Sequence, residues 1–529
     1  MMLRMFRRNF ANDARSSARK HSLQRAHHRT TLATQRTLIR ATASLSLLAF
    51  TTYAALNSQE PVLAADSPST NDLAAAPPNI ASEQKNMNNL SFQQRDQLAL
   101  ENRGRTFGTT YPAPDLDLVS VDVSQTGTLR LSKRPTFKGR IGDRYASVTP
   151  NNNYVFYTLD PDLQEFVTSV VDRAPANHVA IVAMNPKTGA ILAIAGKSPS
   201  VNGIEYHAGF PAASLFKVVT AAAAVEEAGI NSDSLVAFRG GTYTLNQGNY
   251  LPSPRADRRL MSVGEAMGRS CNPVFGHIGL KYLNGSILSR YATRFGFNQS
   301  LDFEAPLPNS AAFIPHDDTY ELSRTAAGFG EIRISPVHAA AIVSGIANGG
   351  LLPRPQLVER IVDGDGRTLE ESKPDTIQRI VQPSTAQSLL TMMRHTTTIG
   401  TSRREFMRGK RSVLGDIEVA AKTGTLSGTD PVGLNNWFIA AAPMNNPELA
   451  LAVITVDPQR AAKASHLGRL VFERYFKVSP SVEMASQPAT EVAPRKTKRH
   501  VSSKHYRAVK KSSSKSSRST SSRKSNKRS

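Results

Sequence analysis

The chain has 529 residues, 40% of them hydrophobic and 20% charged, and a formal net charge of +23. That charge sits at the two ends: residues 1–40 hold ten Lys/Arg against one acid, Asp13, residues 495–529 hold fourteen and no acid, and residues 41–494 are formally neutral. The distribution speaks against a basic fold that binds nucleic acid; the single cysteine, Cys271, rules out an intramolecular disulfide; and the twelve histidines show no H-E-x-x-H or Cys-paired spacing, so neither metal nor cofactor is expected.

In chain order, residues 1–40 read as a basic cytoplasmic leader. Residues 41–59 are uncharged, with an apolar centre from Leu45 to Leu56. That centre is shorter than the roughly 20 apolar residues of a spanning helix, and Val62-Leu63-Ala64 is a passable peptidase site, so the stretch reads as a membrane anchor or a signal segment. The length of the leader favours the anchor. The positive-inside rule then predicts a single-pass protein of the inner (cytoplasmic) membrane, with everything after the anchor on the extracytoplasmic, periplasmic side. Residues 60–104 read as a polar linker and residues 105–150 as a small β-rich N-terminal module. Residues 151–478 form the main domain. Residues 479–529 are a basic tail that cannot bury a core and is expected to be disordered. Its possible partners are anionic envelope polymers or acidic proteins.

Within 151–478, the apolar runs His178–Met184 and Ala190–Ala195 flank Asn185-Pro186-Lys187-Thr188-Gly189 and predict a hairpin. Residues Ala212–Ala228, between Pro211 and Gly229, predict a helix. Ser214 and Lys217 are three apart and share its face near the start, where unpaired N–H groups lie. Ser270-Cys271-Asn272 falls between two helical stretches, and Pro273 should push Asn272 out of helical geometry into a loop. Ile417–Ala421 predicts a strand running into Lys422-Thr423-Gly424-Thr425, followed by apolar runs at Asn436–Ala442 and Leu449–Val456 that suggest an antiparallel meander. A helix over Arg460–Phe476 should close the domain.

Three motifs therefore stand in order: Ser214-x-x-Lys217, Ser270-x-Asn272 and Lys422-Thr423-Gly424. Each alone is weak. S-x-x-K recurs at Ser17–Lys20, Ser512–Lys515 and Ser521–Lys524 in the tails, S-x-N at Ser69–Asn71, and K-T-G at Lys187–Gly189. Order and setting make the case, and the set resembles that of penicillin-binding proteins and serine β-lactamases. Tyr157–Gln164, Ala180–Gly196, Asn436–Ala440, and Gly328-Phe329-Gly330-Glu331 followed by Ile334-Ser335-Pro336 extend the resemblance over residues 150–478. Phe329 stands where the family usually has Gln.

The resemblance implies an α+β fold: a mostly antiparallel five-stranded sheet covered by helices, plus an all-helical subdomain carrying the S-x-N motif. It implies that Ser214 is an acylated nucleophile, Lys217 its base and Ser270 a proton relay. Asn272, Lys422, Thr423, Gly424 and Thr425 would bind substrate, with the backbone N–H groups of Ser214 and Thr425 as the oxyanion hole. The implied activity is a peptidoglycan D,D-transpeptidase acting on D-Ala-D-Ala stem peptides and acylated by β-lactams. The alternatives are a D,D-carboxypeptidase, a serine β-lactamase, or a catalytically silent envelope scaffold. Class A β-lactamases use an additional Glu; Glu304-Ala305-Pro306-Leu307-Pro308-Asn309 is the nearest segment and has the wrong spacing.

Overall fold

The structure, a computed structural model, describes residues 116–123, 128–457 and 463–478. The expectations for the basic leader, the 41–59 anchor, the linker and the tail beyond 478 lie outside these residues. Among the described residues no helix is long and apolar enough to cross a membrane.

Strands β1 (Arg144–Val148) and β2 (Tyr154–Tyr157) pair antiparallel. Helix α1 (Pro161–Arg173) follows, its N-terminus capped by Asp160 Oδ1, which accepts from Leu163 N at 2.8 Å. Next come β3 (His178–Met184) and β4 (Ile191–Lys197). Asn185 Oδ1 accepts from the amides of Lys187 and Thr188 in the turn between them, and Gly189 supplies the left-handed φ of +78°. The first Lys-Thr-Gly is thus a hairpin turn, as its surroundings predict.

The predicted helix 212–228 divides in two. Ala213–Phe216 is a 3-10 turn, and α2 runs from Lys217 to Ala228, ending at Gly229 in the left-handed region. Pro211 lies outside it, in the short strand Phe210–Pro211. Helices α3 (Val263–Arg269) and α4 (Asn272–Lys281) flank the S-x-N segment. Then come α5 (Pro336–Ala347), β5 (Val358–Val362), α6 (Pro383–Thr398), β6 (Ala420–Thr429), β7 (Val432–Ala442), β8 (Leu449–Asp457) and α7 (Ala464–Tyr475).

The central sheet has five strands in the order β6-β7-β8-β3-β4, every neighbouring pair antiparallel. Successive side chains on a strand point to opposite faces, and here both faces are buried. Val179, Ile181 and Ala183 of β3 enter one core, with α1 and α7; Ala180, Val182 and Met184 enter the other. On β7, Phe438, Ala440 and Ala442 alternate in the same way with Trp437, Ile439 and Ala441. That double burial is why these strands read as continuous apolar runs.

A second sheet joins Asp117–Leu118, β1, β2, β5 and Thr368–Glu371, with Arg140–Ile141 beside β1. Residues 117–118 and 140–148 thus share a sheet with residues 154–157 and 358–371. Arg144 reaches Glu359 at 2.7 Å, and Arg354 contacts Thr128 Oγ1 at 2.7 Å, tying the two halves further.

Candidate active site

The site is built where the start of α2, the α3–α4 junction and the edge strand β6 meet. Ala420, Lys422 and Gly424 share one face of β6. A Cβ on Gly424 would sit 3.3 Å from both Ala212 O and Ala213 Cβ, so the strand runs directly against the turn that carries Ser214. Trp437 on β7 is fully buried and donates from Nε1 to Pro211 O at 2.9 Å, holding the residue three before Ser214. It also packs edge-to-face on Phe210 at 5.8 Å.

Ala213 itself adopts φ +52°, an unfavourable conformation for a residue with a Cβ. The segment 326–328 braces this turn from the other side. Thr220 Oγ1 donates to Ala326 O at 2.9 Å, and Lys217 Nζ donates to Ala327 O. Gly328 then turns away with φ +89°; a Cβ there would lie 2.2 Å from Ala213 O. Only glycine fits that approach.

Lys217 is fully buried. Its Nζ lies 2.8 Å from Ser214 Oγ and 2.8 Å from Asn272 Oδ1, besides Ala327 O. The Asn272 amide is oriented by its own Nδ2, which donates to Tyr243 O at 2.8 Å and so turns Oδ1 to the lysine. Burial pushes the Lys217 amine down to about 7. A neutral amine has two N–H groups and one lone pair. The two carbonyl oxygens accept the N–H groups, and the lone pair is left for the Ser214 hydroxyl.

Lys422 is equally buried. Its Nζ donates to Ser270 Oγ at 3.0 Å and to Thr423 O at 2.7 Å. Burial first, and the Lys217 charge second, hold its amine well below the usual lysine range. Burial is the leading cause of the lowered value for both amines.

Ser270, Asn272, Thr423 and Thr425 line one cleft with Ser214, of about 320 Å³. Asn272 departs from the loop geometry expected of it. It is the first residue of α4, with Cys271 as the N-cap, while Ser270 ends α3 at φ +55°. Proline is tolerated in a first helical turn, where its missing N–H would be unpaired in any case, so Pro273 starts the helix and does not exclude Asn272 from it. Cys271 is buried, and burial pushes its thiol up.

Several cleft residues carry no motif. Thr401 Oγ1 lies 2.6 Å from Thr423 Oγ1, and Tyr243, Phe329 and Leu426 complete the wall. Around the Gly328-Phe329-Gly330 segment, the carbonyl of Ala327 accepts from Lys217 and the bare α-carbon of Gly328 admits Ala213 O, while Phe329 lines the cleft. Glu304 lies elsewhere, buried and accepting from Leu357 N at 3.1 Å; burial pushes its carboxyl up to about 7.

Residues 179–477 match the family described as the penicillin binding protein transpeptidase domain. The chain is similar to the peptidoglycan D,D-transpeptidase PbpA of Mycobacterium tuberculosis, at 27% identity over 394 residues, covering 66% of this chain and 78% of that one. It is also similar to the stage V sporulation protein D of Bacillus subtilis, at 26% identity over 326 residues, covering 57% and 49%. Among solved structures, penicillin-binding protein A of M. tuberculosis, as its ceftriaxone acyl-enzyme complex, superposes with a TM-score of 0.50 at 25% identity over 63% of this chain and 80% of that one. The D,D-transpeptidase domain of a peptidoglycan glycosyltransferase from Eggerthella lenta superposes at 0.52 and 20% identity, over 69% and 97%, a likeness of fold.

Proposed function

The chain belongs to the penicillin-binding protein transpeptidase family, and we propose that it is a peptidoglycan D,D-transpeptidase that cross-links stem peptides through an ester on Ser214 and is acylated there by β-lactams. One observation carries the reading: a buried amine lowered to about 7 lies 2.8 Å from the hydroxyl of Ser214. A serine hydroxyl is a weak nucleophile at its own pKa and requires such a base.

In this reading Lys217 takes the Ser214 proton as Oγ bonds to the carbonyl carbon of the penultimate D-Ala. The N–H groups of Ser214 and Thr425 receive the developing oxyanion. The proton held by Lys217 passes through the hydroxyl of Ser270, which is hydrogen-bonded to Lys422, to the leaving D-Ala amine as the peptide bond breaks, and Lys217 is neutral again. Lys422, Thr423 and Thr425 bind the substrate carboxylate, Gly424 lets it approach the strand, and Asn272 both orients Lys217 and meets the substrate amide. An acceptor amine then attacks the ester, forms the new amide and returns a proton to Ser214 Oγ. Among the described residues no carboxylate lines the cleft, so a deacylating water lacks the Glu partner that class A β-lactamases supply. A long-lived penicilloyl ester is the expected consequence.

The anchor over residues 41–59, the periplasmic placement of the catalytic domain, the division of the chain at 150 and 478, and a role for the tail with anionic envelope polymers or acidic proteins belong to the same proposal. They rest on charge and hydropathy.

The test is the intact mass of the protein after incubation with a penicillin. A persistent adduct mapped to Ser214 and absent in Ser214→Ala supports the reading. No adduct with the drug intact overturns acylation, and no adduct with the drug hydrolysed points to a β-lactamase.

A further inference from the structure

Thr401 lies outside the three motifs, yet its hydroxyl reaches the middle residue of the third: Oγ1 stands 2.6 Å from Thr423 Oγ1. It follows α6, which ends at Thr398, and precedes the short helix Arg403–Phe406. Its place is fixed from two sides. Thr401 N donates to Gly268 O at 3.0 Å, in the last turn of α3 and two residues before Ser270. On the other side, Thr397 Oγ1 donates to Val419 O at 2.8 Å, just ahead of β6. Two glycines permit this approach. A Cβ on Gly400 would collide with Gly268 O, and one on Gly268 would lie 2.6 Å from His395 Cβ. The end of α6 and the end of α3 therefore meet backbone to backbone, and the helix end that carries Ser270 also places Thr401. The neighbouring Ser402 is buried, its N donating to Thr396 O at 3.0 Å, whereas the Thr401 side chain is exposed and lines the cleft.

The hydrogens decide what this pair can do. Each hydroxyl has one proton to give and can also accept. A single hydrogen bond lies between them, and among the described residues neither hydroxyl has another partner. Without a further acceptor, either threonine can be the donor. A carboxylate only accepts. Once one lies against Thr423, the Thr423 proton must point to it, and the bond to Thr401 persists only with Thr401 as donor. The row then runs from the Thr401 hydroxyl to the Thr423 hydroxyl to the carboxylate. Each bond in such a row polarises the next, and a charged terminal acceptor makes the last bond the strong one.

We propose that Thr401 is a positioning residue for the donor carboxylate: it donates to Thr423 Oγ1 and so commits the Thr423 proton to the terminal carboxylate of the stem peptide or of a β-lactam. The inference rests on the transpeptidase reading above and adds to the carboxylate-binding strand a residue that acts through Thr423. Because Thr401 N is bonded to Gly268 O, the relay also ties recognition of the carboxylate to the helix end that presents Ser270.

The test uses the full-length protein with benzylpenicillin and with its methyl ester, which keeps the β-lactam ring and replaces the carboxylate by a neutral acceptor. Second-order rates of acylation at Ser214 are measured by intact mass for the wild type, Thr401→Val, Thr401→Ser, Thr423→Val and the double variant Thr401→Val/Thr423→Val. Valine keeps the branched shape at an exposed position and removes only the hydroxyl. Thr401→Val should reduce the preference for the carboxylate over the ester by about fivefold, the size of one lost neutral hydrogen bond. Thr401→Ser should restore the preference. In the Thr423→Val background, Thr401→Val should have no further effect, because the two residues act as one unit. An equal slowing of penicillin and ester in Thr401→Val would make the residue merely structural and overturn the proposal. So would an unchanged preference in Thr401→Val, or a penalty that adds in full to that of Thr423→Val. A wild type that forms no adduct with either compound fails at the transpeptidase reading itself, a result distinct from acylation that ignores Thr401.

Discussion

Lys217 Nζ and Asn272 Oδ1 are 2.8 Å apart, and that contact joins two of the three motifs before any substrate arrives. Because Asn272 Nδ2 is committed to Tyr243 O, the amide cannot flip without losing both bonds. The lysine therefore approaches Ser214 with its N–H groups already occupied. Replacing Lys217 by Met removes the base and should lower the rate of penicillin acylation by roughly 10²- to 10⁴-fold. Asn272→Asp should also slow acylation, since a carboxylate at that point favours the charged lysine. Stopped-flow acylation rates decide both; a Lys217→Met enzyme within a few-fold of the wild type would remove the lysine from the mechanism.

The depressed Lys217 amine predicts a pH profile. Below about 7 the amine is protonated and cannot accept from Ser214, so the acylation rate should climb through about pH 7 and level above it. The same shift appears in stability with a definite sign. The folded value of about 7 lies below the ordinary 10.5, so between these the unfolded chain binds more protons and stability rises with pH. That rise should be shallower in Lys217→Met than in the wild type, measured by denaturant titration at pH 7, 8.5 and 10. Parallel slopes would mean the amine titrates normally.

Lys422 poses the converse case. Burial first, and the Lys217 charge second, favour its neutral form, yet the proposed role demands a cation. A bound carboxylate supplies the missing counter-charge and should draw a proton onto Lys422. With Ser214→Ala to prevent acylation, calorimetry of penicillin binding at pH 8 in two buffers of different ionisation enthalpy should reveal uptake of up to one proton. Lys422→Met should abolish the uptake and weaken binding. Heats independent of buffer would show that Lys422 already carries its charge.

Much of this was legible in the residues. The alternate burial of β3, β7 and β8 writes itself as unbroken apolar runs, and the order of the three motifs survives their individual weakness. The family match over 179–477 agrees with both. What stayed hidden is carried by groups that every residue has or by distant pairings. Ala327 contributes a carbonyl and Gly328 a missing side chain, and neither leaves a signature beyond a glycine. Thr401 reaches the cleft only because α6 ends beside β6. The pairing of Tyr154–Tyr157 with Val358–Val362 spans some two hundred residues, and short alternating strands do not reveal a partner at that separation. Asn272 was misjudged because the rule against helix before proline yields to the tolerance for proline in a first turn.

Gly328 offers a prediction in which steric and conformational costs can be separated. A Cβ at this position would meet Ala213 O at 2.2 Å and Ser214 Cα at 3.0 Å, and the φ of +89° is itself unfavourable for alanine. Gly349 has a comparable φ of +62° with nothing within 4 Å. Gly349→Ala should therefore cost about 1 kcal/mol from backbone conformation alone and leave acylation intact. Gly328→Ala must in addition displace the turn that carries Ser214, so it should lose about 1–3 kcal/mol and also slow acylation. Thermal unfolding and penicillin acylation measured on both variants test the distinction. If Gly328→Ala acylates at the wild-type rate, the close approach of residue 328 to Ala213 does not position the nucleophile, and the bracing role assigned to that segment falls.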